Sequence, residues 1–304
     1  MTAIPEFHML ETYDGRELVL GSGFEVDLNL QGTGNFGASP TNYQTRRGYQ
    51  QDGVTEISYN LLPRPITVTV YHPHMSNRDD YWDLRQRLLD FLRPNRGGPL
   101  LYKILRPDGT QRALTVRADP GFVFNTQANR NSWDIEENLT FIAHDPLWFD
   151  PAQTTPTISS DTGDELSFPA FVPLEFGIIG VQFTTGTLTY DGTWKSYPVI
   201  TLIGPYTSCV VNNRITGASL TFTTSIIAGE RRVITLTPGN QSIVNSDGDN
   251  KFSELAPSSN LIDFYIQSEL TTNGTAFAID AVFVGGTVGQ SNFILQFYNR
   301  YFGI

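Results

Sequence analysis

The sequence predicts a mainly β protein in two halves: a β-sandwich or barrel with one α-helix, followed by a β-sandwich of the jelly-roll type. Three observations predict this class. Apolar and polar residues alternate along many short stretches, which is the period of a strand with one buried face. Turn signals that contain Gly, Asn or Pro separate those stretches. Residues 77–93 are the one segment that repeats large apolar residues at the spacing of a long amphipathic helix.

The predicted helix has a start signal and a stop signal. Ser76 and Asp79 have the spacing of a capping box, and Pro94 cannot continue a helix. The large apolar side chains of the segment fall on one face: Tyr81, Leu84, Leu88 and Phe91 or Leu92. Each gains about 1.5–3 kcal/mol when it is buried. We therefore expect the helix to lie on a sheet.

The composition is that of a folded protein that does not grip nucleic acid. The chain has 304 residues, of which 17% are charged, and a formal net charge of −11. Affinity for phosphate backbones comes from clustered Lys and Arg, so this balance argues against a DNA-binding protein. It still allows a protein past which DNA slides.

The single cysteine and the first residues bound the class further. Cys209 has no second cysteine to pair with and lies among valines, so we expect a core residue. The first residues lack the basic and apolar segments of a secretory signal, and prolines interrupt the most apolar window. We therefore expect no membrane anchor and synthesis in a cytoplasm.

A change of pattern near residue 150 predicts the domain boundary. Residues 1–150 are predicted to form the first domain and residues 169–304 the second. The Pro- and Thr-rich residues 151–168 between them are predicted to be a linker. Among the predicted strands are Leu100–Leu105 and Phe122–Thr126 in the first domain and Leu261–Gln267 in the second.

Residues 32–53 are predicted to form a Gly-rich arm. The segment opens on a literal G-x-G-x-x-G, but no helical period follows it, so a dinucleotide cofactor is not expected. A segment of this length without periodicity is usually functional or disordered. We expect it to order against a neighbouring subunit, and a mobile loop is the alternative. Tyr and Arg are enriched at interfaces, and the candidate interface residues are Phe36, Tyr43, Arg46, Arg47 and Tyr49.

The chain has no recognisable metal-ligand or nucleotide motif. His72 and His74 could point the same way from a strand, but a metal site needs at least a third ligand in a fixed shape. Asn245–Asp249 looks faintly like a calcium loop, yet the required Gly and Glu are missing at their positions. We predict no metal, no cofactor and no catalytic residue.

Two alternatives stay open at this point. A glycoside hydrolase needs only two carboxylates at a fixed separation, and the 31 acidic residues do not exclude such a pair. Trp194, Tyr197 and Tyr206 could stack on sugar rings, as in a glycan-binding adhesin, although aromatic residues of a sandwich more often belong to the core.

The order of features resembles that of the distal tail proteins of phages with long, non-contractile tails. In the first half, a Gly-rich arm is followed by the helix, by a hairpin through Pro107-Asp108-Gly109 and by a strand that ends in Phe141–Trp148. In the second half, the corresponding features are Tyr197-Pro198, Ile203-Gly204-Pro205, Asn212-Asn213, Asp247-Gly248 and an aromatic end at 297–302. The resemblance covers nearly the whole chain.

The resemblance implies a structural role in the virion, at the tail tip of a phage. It implies a homo-hexameric ring with a tail-tube-like first domain and a galectin-like second domain that carries other proteins. The implied partners are the tail tube protein, the tail-tip or baseplate hub, and receptor-binding or fibre proteins, while DNA passes through without specific binding.

The charge distribution agrees with a conduit for DNA. Residues 1–150 carry a net charge of −5 and residues 151–304 a net charge of −6. A channel for a polyanion must not offer it a cationic wall. We expect acidic strand faces to line or rim the lumen, and the candidates are Glu25, Asp27, Asp134 and Glu136.

Overall fold

The computed structural model describes residues 6–21, 26–72, 78–94, 98–119, 135–156, 158–161, 180–184, 188–267 and 275–304. The chain folds as two units. The first contains Met1–Pro151 together with Tyr301–Ile304, and the second contains Ala152–Arg300. The sequence had assigned residues 301–304 to the second domain.

The first unit is a strand-rich body with one helix in its described part. Its elements in chain order are β1 (Phe7–Glu11), β2 (Glu17–Leu20), β3 (Asp27–Gly34), β4 (Thr41–Arg46), β5 (Thr55–Leu61), β6 (Arg64–His72), α1 (Arg78–Leu92), β7 (Leu100–Leu105), β8 (Gln111–Ala118), β9 (Ile135–Ala143) and β10 (Trp148–Phe149). The predicted strand Phe122–Thr126 and the predicted cap at Ser76 lie outside the described residues.

Most of these strands form one curved antiparallel sheet, in the order β2-β1-β7-β8-β9-β6-β3. β10 adds to β8 by pairing Phe149 with Ala113. The first and last strands of this order approach each other, because Leu20 and Val26 form a parallel bridge and the Gly21 N–H donates to the Val26 carbonyl at 2.9 Å. The sheet therefore curls round on itself, which leaves an interior that side chains fill.

The helix covers this interior, as the periodicity predicts. α1 ends at Leu92, two residues before Pro94. Its inward face is buried together with side chains of the sheet: Leu84, Leu88, Phe91 and Leu92 share one core with Leu10, Val68, Tyr102, Leu139 and Trp148. Long-range burial of an apolar stripe is what stabilises a helix of this length.

The second unit is a β-sandwich. Its elements, including the strand that leads out of it, are β11 (Ser159–Asp161), β12 (Gly180–Thr184), β13 (Leu188–Tyr190), β14 (Val199–Ile203), β15 (Ser208–Asn213), β16 (Ser219–Phe222), β17 (Arg231–Thr235), β18 (Ser242–Val244), the 3₁₀ turn Phe252–Glu254, β19 (Thr275–Phe277), β20 (Ile279–Val284), β21 (Asn292–Gln296) and β22 (Arg300–Tyr301). One sheet has the order β11-β12-β20-β15-β16 and another the order β18-β17-β14-β21.

The two sheets of the second unit enclose its core. Cys209 and Phe283 from the first sheet are buried in one cluster with Ile200 and Leu295 from the second. Burial raises the pKa of the Cys209 thiol, so it remains a protonated core residue, as predicted. The mainly β class predicted from alternation is confirmed in both units.

Two predictions for the second unit are wrong in detail. Leu261–Gln267 is not a strand, because the Asn260 side-chain oxygen accepts hydrogen bonds from the N–H groups of Ile262 and Asp263 and holds a turn there. The segment predicted as a linker contains β11, which pairs with β12. The Thr- and Ser-rich composition of the segment shows no alternation that would predict a strand.

Candidate assembly surface

Residues 41–61 form a two-stranded hairpin that is exposed on both faces, and we call it the arm hairpin. β4 and β5 pair from Thr41 with Leu61 to Arg46 with Thr55, with a register shift after Gln44. Residues 42–50 and 52–60 are all exposed. A lone two-stranded hairpin is at best marginally stable in water, so this one needs a surface to pack on.

The predicted arm, residues 32–53, differs from the arm hairpin in extent. Residues 32–34 are the end of β3, and the hairpin continues beyond 53 through β5. β4 was not predicted, because a strand exposed on both faces does not alternate between apolar and polar residues.

One face of the arm hairpin carries aromatic side chains and the other is polar. Tyr43 lies directly opposite Tyr59, and their exposed fractions are 58% and 50%. Ile57, at the register shift, is 64% exposed. On the opposite face Ser58 donates a hydrogen bond of 2.8 Å to the Gln44 side chain. Residues directly opposite each other share a face, so the tyrosine pair forms a single apolar surface.

The tip of the arm hairpin is ordered by local hydrogen bonds. The Arg47 guanidinium donates to the Gln51 carbonyl at 3.1 Å, and the Gly48 N–H donates to the Gln51 side chain at 2.8 Å. These bonds leave Tyr49 94% exposed. Arg46 is also exposed, so four of the five predicted interface residues lie on one projecting element.

Phe36, the fifth predicted interface residue, lies elsewhere. Its ring packs against the core of the first unit, 5.5 Å from the ring of His8, 5.8 Å from Tyr102 and 5.9 Å from Trp148. Sequence periodicity could not show this, because Phe36 follows the end of β3 and precedes the arm hairpin. The ring anchors the base of the arm from inside.

A buried histidine belongs to the same cluster. The Tyr102 hydroxyl lies 2.5 Å from His8 Nδ1, and His8 Nε2 lies 2.8 Å from a Glu6 carboxylate oxygen. Both contacts are satisfied when Tyr102 donates to Nδ1 and a neutral His8 donates from Nε2 to Glu6. Burial lowers the pKa of His8, so the neutral ring is the form that the fold selects.

Arg64 is buried at the base of the arm and donates only to backbone carbonyls in the described structure. Nε donates to Pro146 at 2.9 Å, Nη1 to Asn35 at 2.9 Å and to Gly37 at 2.6 Å, and Nη2 to Phe302 at 2.8 Å. Burial lowers the pKa of Arg64 to about 10, so the guanidinium is charged at neutral pH. One side chain thereby joins three separate segments.

Sequence analysis missed Arg64. The residue stands between Pro63 and Pro65 at the start of a strand, where prolines deprive the backbone of donors. That context is unusual for a charged residue, but it does not identify partners as far away in sequence as Phe302.

Two of the four predicted lumen residues are in the described part of the chain. Asp27 in β3 and Glu136 in β9 both pair with Tyr71 of β6, so their backbone positions lie in one row across three strands. Glu25 and Asp134 lie outside the described residues. The register brings Asp27 and Glu136 near each other although 109 positions separate them in sequence.

Two of the aromatic residues considered for glycan binding, Tyr206 and Tyr197, have different surroundings. Tyr206 is 2% exposed, and its ring stacks on Phe283 at 4.9 Å with an interplanar angle of 7°. Tyr197 instead contacts Tyr265 at 5.9 Å, beside the Lys195 ammonium. The expectation that sandwich aromatics belong to the core holds for Tyr206.

Two carboxylates of the second unit, Glu230 and Glu254, are bridged by an arginine. Arg232, which is 3% exposed, donates to Glu254 at 2.6 and 3.0 Å and to Glu230 at 2.6 Å. The Arg232 guanidinium lowers the pKa of Glu230. A glycosidase needs one carboxyl group with a raised pKa to act as a general acid, so this arrangement suits structure rather than acid catalysis.

The loop considered for calcium is a closed turn. The Asn245 side-chain oxygen accepts hydrogen bonds from the N–H groups of Asp247 and Asp249, at 3.0 and 2.8 Å. Within the described ranges, no group of three His, Cys, Asp or Glu side chains could hold a metal ion. Among the same residues, no helix is long and apolar enough to cross a membrane.

Comparison with solved structures gives the fold of the whole chain. The crystal structure of the SPP1 Dit protein (gp 19.1), described as a paradigm of the hub adsorption apparatus in phages that infect Gram-positive bacteria, superposes with a TM-score of 0.60 at 14% identity, over 96% of this chain and 98% of that one. The chain has the fold of a phage distal tail protein. The Dit fold extends to a chain of the phage P2 baseplate in its activated conformation with Ca, which matches with a TM-score of 0.52 at 9% identity, over 99% and 100% of the two chains.

Sequence comparison adds nothing to this similarity. No protein-family model matches the chain, and no curated protein matches it by sequence. The similarity is therefore one of fold, at sequence identities of 14% and 9%.

Proposed function

We propose that the chain is a non-enzymatic structural subunit of a phage tail tip. It assembles as a homo-hexameric ring that connects the tail tube to the baseplate and receptor-binding apparatus and leaves a channel for DNA. The observation that carries this proposal is the similarity to the SPP1 Dit hub protein, which extends over both units and nearly the full length of both chains.

The arm hairpin supplies the reason for self-association. A ring requires two different surfaces on each subunit that complement each other head to tail. The aromatic face of Tyr43 and Tyr59 is one such surface. It is exposed to water, and exposed apolar surfaces of this kind mark interaction sites. A neighbouring copy is its proposed occupant, and Arg46, Arg47 and Tyr49 extend the same contact.

The proposed channel is acidic or neutral at its wall. The formal net charge of −11 and the row that contains Asp27 and Glu136 support this arrangement. A wall of this kind does not bind a polyanion, so DNA passes without specific contacts. The second unit is proposed to carry hub, receptor-binding or fibre proteins on the outside of the ring in the virion.

The test compares assembly by the parent chain and by variants of the arm hairpin. In sedimentation velocity, the parent is expected to form a species of six copies. The double variant Tyr43→Ser/Tyr59→Ser is expected to shift it to monomer. Ile262→Ser is the matched control, since Ile262 is 73% exposed but lies in the second unit. An unchanged hexamer in the double variant would show that the arm hairpin does not form the subunit interface. A monomeric parent would refute the proposed ring.

A further inference from the structure

We propose that Arg64 and residues 302–304 form a clamp that fixes the direction in which the arm hairpin leaves the first unit. Arg64 and Gly303 are then positioning residues for assembly, although neither lies on the arm hairpin. This inference rests on the proposed function for its consequence, but the clamp can be measured on the isolated subunit.

The first part of the clamp is the fork of hydrogen bonds from Arg64. Two of its bonds hold the carbonyls of Asn35 and Gly37, which lie between β3 and the arm hairpin. The other two hold Pro146 and Phe302. A planar guanidinium can direct several donors at fixed angles, whereas a lysine ammonium is a single point charge. The four bonds therefore set the relative position of three backbone segments.

The second part of the clamp is the close approach of residues 303 and 304 to the base of the arm. A Cβ on Gly303 would lie 2.6 Å from the Gly37 carbonyl oxygen and 2.7 Å from its carbon. The Ile304 N–H donates to the Phe36 carbonyl at 3.2 Å. Glycine is thus required at 303 because two backbones touch there, and any side chain would separate them.

Two further contacts hold the base of the arm, residues 35–40, in place. The Phe36 ring is held by Tyr102 and Trp148 in the core. The Leu62 N–H donates to the Pro40 carbonyl at 2.8 Å and closes the neck of the arm hairpin. Residues 35–37 are therefore held by the packing of the Phe36 ring, by Arg64 and by residues 302–304.

The clamp also involves both segments through which the chain connects its two units. Pro146 precedes Pro151, the last residue before the chain leaves the first unit, and Phe302 directly follows Tyr301, where the chain returns. Arg64 hydrogen-bonds to both segments and to the base of the arm. The direction of the arm hairpin therefore depends on the position of residues 301–304, which re-enter the first unit.

The direct test measures the direction of the arm on the full chain. Spin labels are placed on cysteines introduced at Glu56, on the arm hairpin, and at Gln111, at the exposed start of β8. The native Cys209 is fully buried and does not compete for label. Labelled protein is diluted into an excess of unlabelled protein, so that distances within one subunit dominate. The parent is expected to give one narrow distance distribution.

Two substitutions and one matched control decide the outcome. Arg64→Met and Gly303→Ala are each expected to broaden the distribution at least twofold, with the circular dichroism of the parent retained. Gly34→Ala is the control, because a Cβ on Gly34 meets no atom within 4 Å and Gly34 takes no part in the clamp, and it is expected to leave the distribution narrow. If Arg64→Met does not fold, the comparison of Gly303→Ala with Gly34→Ala decides alone. A narrow distribution in Gly303→Ala, equal to that of the control, overturns the clamp.

Assembly is the second readout and separates the clamp from the proposed function. If the clamp positions the arm, Gly303→Ala is expected to weaken ring formation by about tenfold or more, since the lost contacts are equivalent to about one net hydrogen bond. Gly34→Ala is expected to assemble as the parent does. Full assembly of Gly303→Ala would contradict the positioning role. A parent that never forms rings would refute the proposed function, and the spin-label distances would still test the clamp.

Discussion

Phe36 and Tyr49 are two aromatic residues of the predicted arm for which the structure assigns different roles. Phe36 is partly buried and contacts three rings at 5.5–5.9 Å, whereas Tyr49 is 94% exposed. Replacing a fully buried Phe with Ala costs about 3–5 kcal/mol. For a half-buried ring we expect about 2 kcal/mol, including the lost aromatic pairs. Tyr49→Ala is expected to change stability by less than about 0.5 kcal/mol.

The assay is urea unfolding of the first unit, followed by tryptophan fluorescence. Trp148 packs on Phe36 and reports this region directly. With a denaturant slope of about 2 kcal/mol per molar for a unit of this size, Phe36→Ala should lower the midpoint by about 1 M, while Tyr49→Ala should leave it unchanged. In sedimentation velocity Tyr49→Ala is expected to weaken assembly although it leaves the midpoint unchanged, because it removes a proposed interface residue. Equal midpoints for both variants would refute the placement of Phe36 in the core.

Three further predictions concern the interior. Leu88→Ala should cost about 2–5 kcal/mol, because Leu88 is 1% exposed, whereas Leu89→Ala, at a site 41% exposed on the same helix, should cost far less in the same urea titration. Arg232→Met should lower the thermal midpoint, since about 1–3 kcal/mol is lost when a largely buried hydrogen-bonding group is left without its partner and the Glu254 side chain is 12% exposed. Adding Glu254→Gln should recover part of the loss. The folded state holds the pKa of His8 below its usual value of 6.5, so the unfolded chain binds more protons at acid pH. The contribution of His8 to the free energy of unfolding is therefore present above pH 6.5 and is lost as the pH falls through the folded pKa. His8→Gln should reduce the slope of the free energy of unfolding in urea against pH in that window. An unchanged slope would contradict this prediction.

The sequence predicted those elements whose local pattern matches their environment. The helix was predicted at residues 77–93 and the structure describes it over Arg78–Leu92, and the repeated apolar residues Leu84 and Leu88 lie on its buried face. β7 was predicted with the bounds that the structure has. Buried and partly exposed residues alternate along β7, so one of its faces is buried and the other is more exposed.

The elements that were missed lack such a pattern or depend on distant contacts. β4 is exposed to solvent on both faces, so its sequence does not alternate between apolar and polar residues. The segment after Asn260 forms a turn and not the predicted strand, because the Asn260 side chain hydrogen-bonds to the backbone that follows it. The hydrogen bonds of Arg64 join residues 35, 37, 146 and 302, and no local signal connects those positions.

The central claim is that this chain works by shape and self-association, as a ring with an open centre. Electron microscopy of the purified full-length chain tests it most directly. The account predicts class averages of a closed ring with sixfold symmetry and a central hole, and a mass six times that of the 33.9 kDa chain. Particles that remain single subunits at all concentrations would contradict it.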